Sequence, residues 1–276
     1  MPATSAPTRP PHRPAPVTAV VLAGGGPGDA LARATGAPAK ALVPLKGRPL
    51  GAYVLDALLG AQHVRRIVWV GAHDAAMGRR LAADPHVVVP GGPRLLDSLT
   101  LGIGAARVAA EADERLLLVG ADVPWVEPRH VDRFVADARD ADLVYPVVAR
   151  RDYDARFAAI PRTWVRSSDG PVTGGNLVLA TPDALTGLLP WIDVATRLRK
   201  APWRLAAAAG PQLLAAWAFG RITPGLVERR AHTLLDVRVA LAWGADPELA
   251  TDVDRVDQLP ATLGLPDPDV PSASGA

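Results

Sequence analysis

The chain has 276 residues, with 49% apolar side chains and a formal net charge of +2. This length suffices for one large α/β domain or two small ones, and so small a charge excess gives no strong field for nucleic acid, although the pI is 9.3. The absence of cysteine excludes disulfides, zinc-thiolate sites and thiol catalysis, and the six histidines show no metal-ligand spacing.

Both ends of the chain are rich in proline and small polar residues. Residues 1–16 lack the apolar segment of a secretion signal, so we expect a disordered tail there and a cytoplasmic protein. Residues 266–276 have a similar composition and are expected to form a second disordered tail.

Short apolar runs alternate with helix-spaced apolar residues over the first half of the chain. The runs predicted to be strands buried on both faces are Val17–Leu22, Ile67–Val70, Val87–Val89, Leu116–Val119 and Leu143–Val147. The segments predicted to be helices are Gly51–Ala61, Asp74–Ala83, Leu95–Ala110 and Pro128–Ala138. This alternation predicts an α/β fold in three layers, α/β/α, around a mainly parallel, Rossmann-like sheet.

The pattern changes after residue 147. Longer strands and loops are expected up to a strand at Asn176–Ala180, followed by a helical section from Pro190 to about Leu235. A last apolar segment, Val237–Trp243, comes before the sequence "ATDVDRVDQL".

An uncharged stretch lies inside this helical section, at Leu205–Gly220. It is short for a membrane span and is interrupted by Gly210 and Pro211, so we expect a buried or partly exposed helical hairpin. Contact of residues 205–219 with a membrane surface is the alternative, favoured by Trp203 and the basic residues beside it.

The first predicted strand runs directly into a glycine-rich turn, "VVLAGGGPGDALARATGAPAK". Such a turn is typical of phosphate binding, because backbone N–H groups without a neighbouring Cβ can approach an anion closely. The dinucleotide motif G-x-G-x-x-G fails, since its last position holds Asp29 or Leu31. The P-loop motif fails too, since Lys46 precedes its glycine and no Ser or Thr follows.

The same segment resembles the nucleotidylyltransferases of the GT-A-like fold, which include MobA-like and sugar-1-phosphate enzymes. Their pattern, GGxGTRLxP…K…P…KP, fits without a gap at Gly25, Gly26, Gly28, Leu31, Lys40, Pro44, Arg48 and Pro49. The resemblance implies that Leu22, Ala23, Gly24, Gly25, Gly26 and Gly28 bind the nucleotide. It also implies that Lys40 neutralises the phosphates while the α-phosphorus is attacked.

One position departs from the pattern. Ala30 stands where the family has arginine, and Asp29, whose carboxylate would repel phosphate, stands where the family has threonine. Arg33 lies one helical turn later, and we predict that it reaches the same charge. The alternative is a loop that binds nucleotide without efficient catalysis.

The segment "GGPRLLDSLTLGI", residues 91 to 103, resembles the GG…R..SV..GL segment of cytidylyltransferases of the isoprenoid pathway, with its arginine one position early, at Arg94. The resemblance implies that Gly92 and Ser98 contact the base. Amides and a hydroxyl at the start of a helix suit that role, but an ordinary loop and helix cap would have the same sequence.

"GADVPW" places Asp122 just after a predicted strand, where α/β sheets bind ligands. It resembles the family's metal-binding D-x-P, and a carboxylate there suits Mg²⁺. "ATDVDRVDQL" resembles the family's D-I-D-T-P-E-D-L ending. In this chain Asp252 and Asp254 alternate on a predicted strand, so both side chains are expected to point the same way. We predict Asp252 as the second metal ligand and Asp254 as the cap of a helix at 256–263.

The segment "DGPVTGGNLVLATPDAL" resembles the region where relatives hold the acceptor. Gly174 and Gly175 precede a strand, which invites close backbone approach, and Asn176 offers a donor and an acceptor for hydroxyl groups. These three residues are predicted to bind the acceptor, and a plain loop leading into a strand is the alternative.

These features together predict a Mg²⁺-dependent nucleotidylyltransferase whose partners are an NTP and a phosphorylated acceptor, with sugar or polyol phosphate ranked before molybdopterin. A glycosyltransferase of the same fold is disfavoured because it normally has D-x-D where this chain has a single aspartate. A non-catalytic nucleotide-binding regulatory module stays open because of Ala30.

The predicted domain organisation is a single nucleotidylyltransferase domain over residues 17–265. Its nucleotide-binding half is expected at 17–147 and its acceptor-binding half at 148–265, with a helical insertion at 190–235. The sequence leaves open the base, the acceptor and the oligomeric state.

Overall fold

The computed structural model describes residues 15–26, 28–111, 114–198, 202–259 and 268–269. Most of each predicted terminal tail lies outside these ranges. Among the described residues, no helix is both long enough and apolar enough to cross a membrane.

A nine-stranded mixed sheet forms the centre of the described structure. Its strands are β1 (Val17–Ala23), β4 (Val64–Gly71), β5 (Val87–Val89), β6 (Leu116–Gly120), β7 (Leu143–Ala149), β8 (Val165–Ser167), β9 (Gly170–Gly174), β10 (Leu177–Ala180) and β11 (Val239–Trp243). Two further strands, β2 (Pro44–Leu45) and β3 (Arg48–Pro49), form a small antiparallel ribbon.

Helices occupy most of the connections between these strands. They are α1 (Ala30–Thr35), α2 (Leu50–Gly60), α3 (Ala75–Leu81), α4 (Leu95–Ala109), α5 (Pro128–Ala136), α6 (Arg150–Phe157), α7 (Pro182–Leu198), α8 (Pro202–Ala208), α9 (Pro211–Ala218) and α10 (Pro224–Leu235). Short 3₁₀ turns occur at Lys40–Leu42, Pro247–Ala250 and Val256–Gln258.

The strand order is β5-β4-β1-β6-β10-β7-β9-β8, with β11 paired to β7. Strands β5, β4, β1 and β6 run parallel to one another, whereas β10 runs antiparallel to both β6 and β7. The carboxyl ends of the parallel strands therefore lie along one edge, and β10 connects them to the second half of the sheet. This arrangement confirms the predicted α/β fold class.

Apolar cores cover both faces of the sheet at β1, β4 and β6, as their unbroken apolar runs predict; the same prediction is wrong for β5, an edge strand in which Val88 is 39% exposed. In β1, Val17, Ala19, Val21 and Ala23 face the core formed with helices α2, α3 and α5. Val20 of the same strand faces the opposite core, formed with α4 and α7. A third cluster packs Trp125, from the loop after β6, edge-to-face on Phe157 of α6.

The first half of the fold matches its predicted strands and helices closely. The second half differs in that α6 occupies Arg150–Phe157, where strands and loops were expected. Only Tyr153 and Phe157 of this helix are buried, and so few apolar positions give the segment little helical periodicity.

The predicted helical hairpin forms as α8 and α9, separated at Gly210, which has a φ of 115°. Of the two predicted possibilities, buried or partly exposed, the second describes α9, which has no buried residue and is followed by Phe219, 78% exposed.

Packing of α4 on the sheet gives a stability prediction. A Cβ at Gly102 would lie 2.7 Å from Val20 Cγ1 and 2.8 Å from Val70 Cγ2. We expect Gly102→Ala to lower the free energy of unfolding by about 1–3 kcal/mol through overpacking, measured by urea denaturation.

Gly104 is the matched control, since a Cβ on this residue of the same helix meets nothing within 4 Å. Gly104→Ala should raise the free energy of unfolding by up to about 1 kcal/mol, because alanine is the better helix former. Equal stabilisation by both substitutions would contradict the packing described for Gly102.

Candidate active site

A cavity of about 890 Å³ opens at the carboxyl edge of the parallel strands. Ligands of α/β proteins commonly bind at this edge, where the loops leaving several strands converge. Every residue predicted to bind the nucleotide lines it, together with Lys40 and Asp122; the set is Leu22, Ala23, Gly24, Gly25, Gly26, Gly28, Gly92 and Ser98. Three separate segments of the sequence therefore meet in one cavity.

The glycine-rich turn is folded back on Lys40. The Lys40 N–H donates to the Gly25 carbonyl at 2.8 Å, and Gly25 has a φ of 72°, a conformation that favours glycine. At Gly24, Gly26 and Gly28, a Cβ would meet nothing within 4 Å. The surface above these glycines is open, as a loop that wraps phosphates requires.

Asp29 caps α1, which changes the expectation that its carboxylate would repel phosphate. Its Oδ1 accepts hydrogen bonds from the N–H groups of Leu31 at 2.9 Å and Ala32 at 3.1 Å. The carboxylate charge is thus directed at the helix N-terminus. Arg33 is exposed on α1 and is not among the residues that line the cavity, so its predicted contact with phosphate stays a prediction.

Lys40 lies between two carboxylates. Its Nζ donates to Asp122 Oδ2 at 2.6 Å and also bonds Asp254 Oδ1, and the lysine side chain is only 12% exposed. Burial lowers the pKa of Lys40, but the charges of Asp122 and Asp254 outweigh it and raise the pKa above its ordinary value. The ammonium group therefore stays charged.

Asp122, Asp252 and Asp254 form one acidic cluster, in which each residue offers a carboxylate oxygen within 4.8 Å of the others. The Val253 N–H donates to the Asp122 carbonyl at 3.0 Å, which holds the C-terminal segment beside the loop after β6. The predicted ligands Asp122 and Asp252 are thus brought together.

The expectation that Asp254 caps a helix is wrong. The turn Val256–Gln258 starts after Arg255, and Gln258 Oε1 accepts from the Asp254 and Arg255 N–H groups. The Asp254 carboxylate joins the cluster instead. The part of the predicted helix beyond residue 259 lies outside the described residues.

Asp252 also contacts Asn176 of the predicted acceptor site and, besides it, Arg162. Its Oδ1 accepts from Asn176 Nδ2 at 3.3 Å and from Arg162 Nη1. Burial raises the pKa of the Asp252 carboxyl, the charge of Arg162 opposes this, and the net direction is upward. Arg162 was not singled out from the sequence, where it is one of many arginines.

The glycines before β10 are packed closely against the protein itself. A Cβ at Gly174 would lie 2.3 Å from the Tyr145 hydroxyl oxygen, and one at Gly175 would lie 2.7 Å from Pro146 Cγ. The Gly175 N–H donates to the Pro146 carbonyl at 2.9 Å. These backbone groups thus maintain the sheet, and the predicted acceptor contact rests on the side chain of Asn176.

Gly92 and Ser98 hold each other in the cavity wall. Ser98 is 4% exposed, and its Oγ accepts from the Gly92 N–H at 3.0 Å. A Cβ at Gly92 would lie 2.4 Å from Asp97 Cβ, so only glycine fits there. This amide and hydroxyl shape the loop, and their predicted contact with a base stays a prediction.

The donor set fits Mg²⁺. Three carboxylates meet beside an open glycine-rich loop, and Mg²⁺ is typically bound by one or two carboxylates together with substrate phosphates. Lys40 and Arg162 partly balance the three negative charges.

A family model described as the MobA-like NTP transferase domain matches residues 19–234. No curated protein matches the sequence. A solved structure described as a hypothetical transferase from Thermus thermophilus is 35% identical, with a TM-score of 0.74, over 88% of this chain and 99% of that one.

Two more distant structures share the fold. A nucleotidyl transferase from a Methanothermobacter species is 22% identical, with a TM-score of 0.51, over 90% of this chain and 96% of its own. A CMP:2-keto-3-deoxy-manno-octonic acid synthetase complexed with CTP is 14% identical, with a TM-score of 0.52, over 91% of this chain and 97% of its own.

The acidic cluster gives a prediction for metal binding. Mg²⁺ at a hundredfold excess over its Kd should stabilise the protein by about 2.7 kcal/mol, or roughly 5 °C or more in Tm, because it binds only the folded cluster. Asp122→Asn should abolish most of this increase in Tm, measured by thermal unfolding with and without Mg²⁺.

Asp140→Asn is the control, since it removes a carboxylate whose side chain is 99% exposed and lies outside the cluster. That variant should keep the full increase. If Asp122→Asn kept it as well, Mg²⁺ would bind elsewhere.

Proposed function

The chain belongs to the MobA-like NTP transferase domain family, and we propose that it transfers a nucleoside monophosphate from an NTP to a phosphorylated acceptor, a sugar or polyol phosphate, with release of pyrophosphate. The observation that carries this proposal is the cavity in which the glycine-rich loop, Lys40 and Asp122 meet. Family membership supports the nucleotidyl transfer, and the choice of acceptor is our inference.

In the proposed reaction, an oxygen of the acceptor phosphate attacks the α-phosphorus, and the bond from the α-phosphorus to the bridging oxygen of pyrophosphate breaks. The attacking oxygen is already anionic, so no side chain has to remove a proton. The protein's task is to hold both substrates in line and to neutralise charge.

The glycine-rich loop would hold the triphosphate through backbone N–H groups in the open surface at Gly24, Gly26 and Gly28. Lys40 is held at that surface by its backbone bond to Gly25, so its ammonium group would move a short way from Asp122 to the phosphates. There it would stabilise the charge that develops on pyrophosphate.

Asp122 and Asp252 would hold Mg²⁺, with Asp254 as a third carboxylate at the same place. Bound there, the metal would supply charge neutralisation at the phosphate oxygens. Asn176, which contacts Asp252, would bind the acceptor next to the metal.

Two other functions remain as candidates, and the substrates that the protein uses would distinguish them from the proposed one. Molybdopterin as acceptor is the second candidate, because the matching family model is described as MobA-like. A regulatory module that binds nucleotide without turnover is the third, because Ala30 replaces the family arginine and Arg33 is exposed on α1.

Pyrophosphate release tests the proposal. We would supply each NTP with Mg²⁺ against sugar 1-phosphates, polyol phosphates and molybdopterin. We expect release that requires one NTP and one phosphorylated sugar or polyol and is lost in Asp122→Ala. Release with molybdopterin alone would favour the second candidate, and NTP binding without release on any acceptor would favour the regulatory module.

Lys40 gives a quantitative prediction for the same assay. Lys40→Met should lower kcat by about 10²–10³-fold, the usual loss when one donor to a developing negative charge is removed. KM for the NTP should change less, because the loop amides remain.

Lys46→Asn is the control, since Lys46 is exposed in the turn between β2 and β3 and has a φ of 50°, which asparagine tolerates. It removes the same charge outside the cavity and should leave kcat unchanged. A similar loss in both variants would mean that net charge, and not the position of Lys40, determines the rate.

A further inference from the structure

Arg162 is held in an unusual position for an arginine of a surface loop. It precedes β8, yet its side chain is only 16% exposed. Nη1 pairs with Asp252 Oδ1, and Nη2 donates to the Gly174 carbonyl at 3.2 Å. The guanidinium therefore lies between a proposed metal ligand and the backbone just before Asn176.

The position of Arg162 relative to the cavity matters for in-line attack. Lys40 and Asp122 line the nucleotide cavity, and Asp252 adjoins Asp122 in the acidic cluster. Arg162 and Asn176 both reach Asp252 through its Oδ1. The carboxylate cluster therefore has the nucleotide cavity on one side, and the Arg162 guanidinium and the Asn176 amide contact it through Asp252.

The connection between β9 and β10 positions the Asn176 side chain beside Asp252. Gly174 at the end of β9 pairs with Val147 of β7, and Leu179 of β10 pairs with Val144 of β7. The chain therefore advances five residues from β9 to β10 while β7 advances only three. Extra residues in one strand form a bulge, which bends the strand and redirects side chains, often next to active sites. Here the bulge contains Asn176, whose Nδ2 lies 3.3 Å from Asp252.

The charges of the acidic cluster and its basic neighbours indicate when the Arg162 guanidinium could bind an anion. The three carboxylates carry three negative charges, and Lys40 and Arg162 carry two positive ones. A divalent cation shared by the carboxylates would turn this small net negative charge into a positive one. The hold of Asp252 on Arg162 would weaken, and the site would attract an anion.

We propose that Arg162 binds the phosphate of the acceptor, with Asn176 as its neighbour for an adjacent hydroxyl group; this inference rests on the proposed nucleotidyl transfer. The planar guanidinium fork matches two oxygens of a phosphate, which leaves the third oxygen for attack. The acceptor class that fits is a phosphomonoester with hydroxyl groups near the phosphate.

Equilibrium dialysis of radiolabelled inorganic phosphate tests this site without turnover. The protein would be saturated with Mg²⁺ and the α,β-methylene analogue of the NTP that binds most tightly, which cannot be cleaved between the α- and β-phosphorus. We expect the wild-type protein to bind phosphate and Arg162→Met to bind it about 10–100-fold more weakly, as for the loss of charged hydrogen bonds.

Two further variants separate binding from folding and from charge. Arg162→Lys keeps the charge without the fork and should show an intermediate affinity for phosphate, which also covers the case in which Arg162→Met unfolds. Arg166→Met removes an exposed arginine of β8 and should bind phosphate like the wild type.

Unchanged phosphate affinity in both Arg162 variants, or no phosphate binding by the wild-type protein, would overturn the inference. An equal loss of affinity for the NTP analogue would also overturn it, because Arg162 would then act only by positioning Asp252. Failure of the wild-type protein to bind any NTP analogue would instead contradict the proposed function.

Discussion

The candidate active site depends on the position of one ammonium group. Lys40 is tied to the glycine-rich loop through its backbone and to Asp122 and Asp254 through Nζ, so it joins segments separated by 82 and 214 positions. Half-buried charges of opposite sign offset their desolvation only when they are paired closely. Displacing this lysine would leave Asp122 and Asp254 facing each other with Arg162, the partner of Asp252, as the positive charge still bonded to the cluster, and the carboxylates would repel one another.

The sequence predicts the first half of the fold well because its signals are local. The apolar runs of β1, β4 and β6 are buried on both faces, and these faces can be read without knowing their partners. The site residues of that half are equally readable, since Lys40 and Asp122 follow from motifs near strand ends. All the predicted nucleotide-binding residues line one cavity for this reason.

The remainder depends on contacts between distant residues. Asp254 looks like a helix cap in its local sequence, and only the bond from Val253 to the Asp122 backbone shows that it faces Lys40. The alternation of Asp252 and Asp254 indicates that both side chains point the same way, and it therefore favours one shared role over a metal ligand and a separate helix cap. Arg162 has no local signature, and the glycines at Gly174 and Gly175 gave no sign that Tyr145 and Pro146 would occupy the space beside them.

The bond between Val253 and Asp122 also constrains the order of events during synthesis. Strands β1, β4, β5 and β6 pair in parallel among residues 17–120, so much of the cavity at their carboxyl ends can form while later residues are still being made. The acidic cluster cannot, because Asp252 and Asp254 arrive more than a hundred residues later. Contacts of such long separation also cost loop-closure entropy and slow folding. A partly synthesised chain would therefore have the glycine-rich loop and Asp122 without Asp252 and Asp254, and the complete acidic cluster would exist only once the C-terminal segment has joined the sheet.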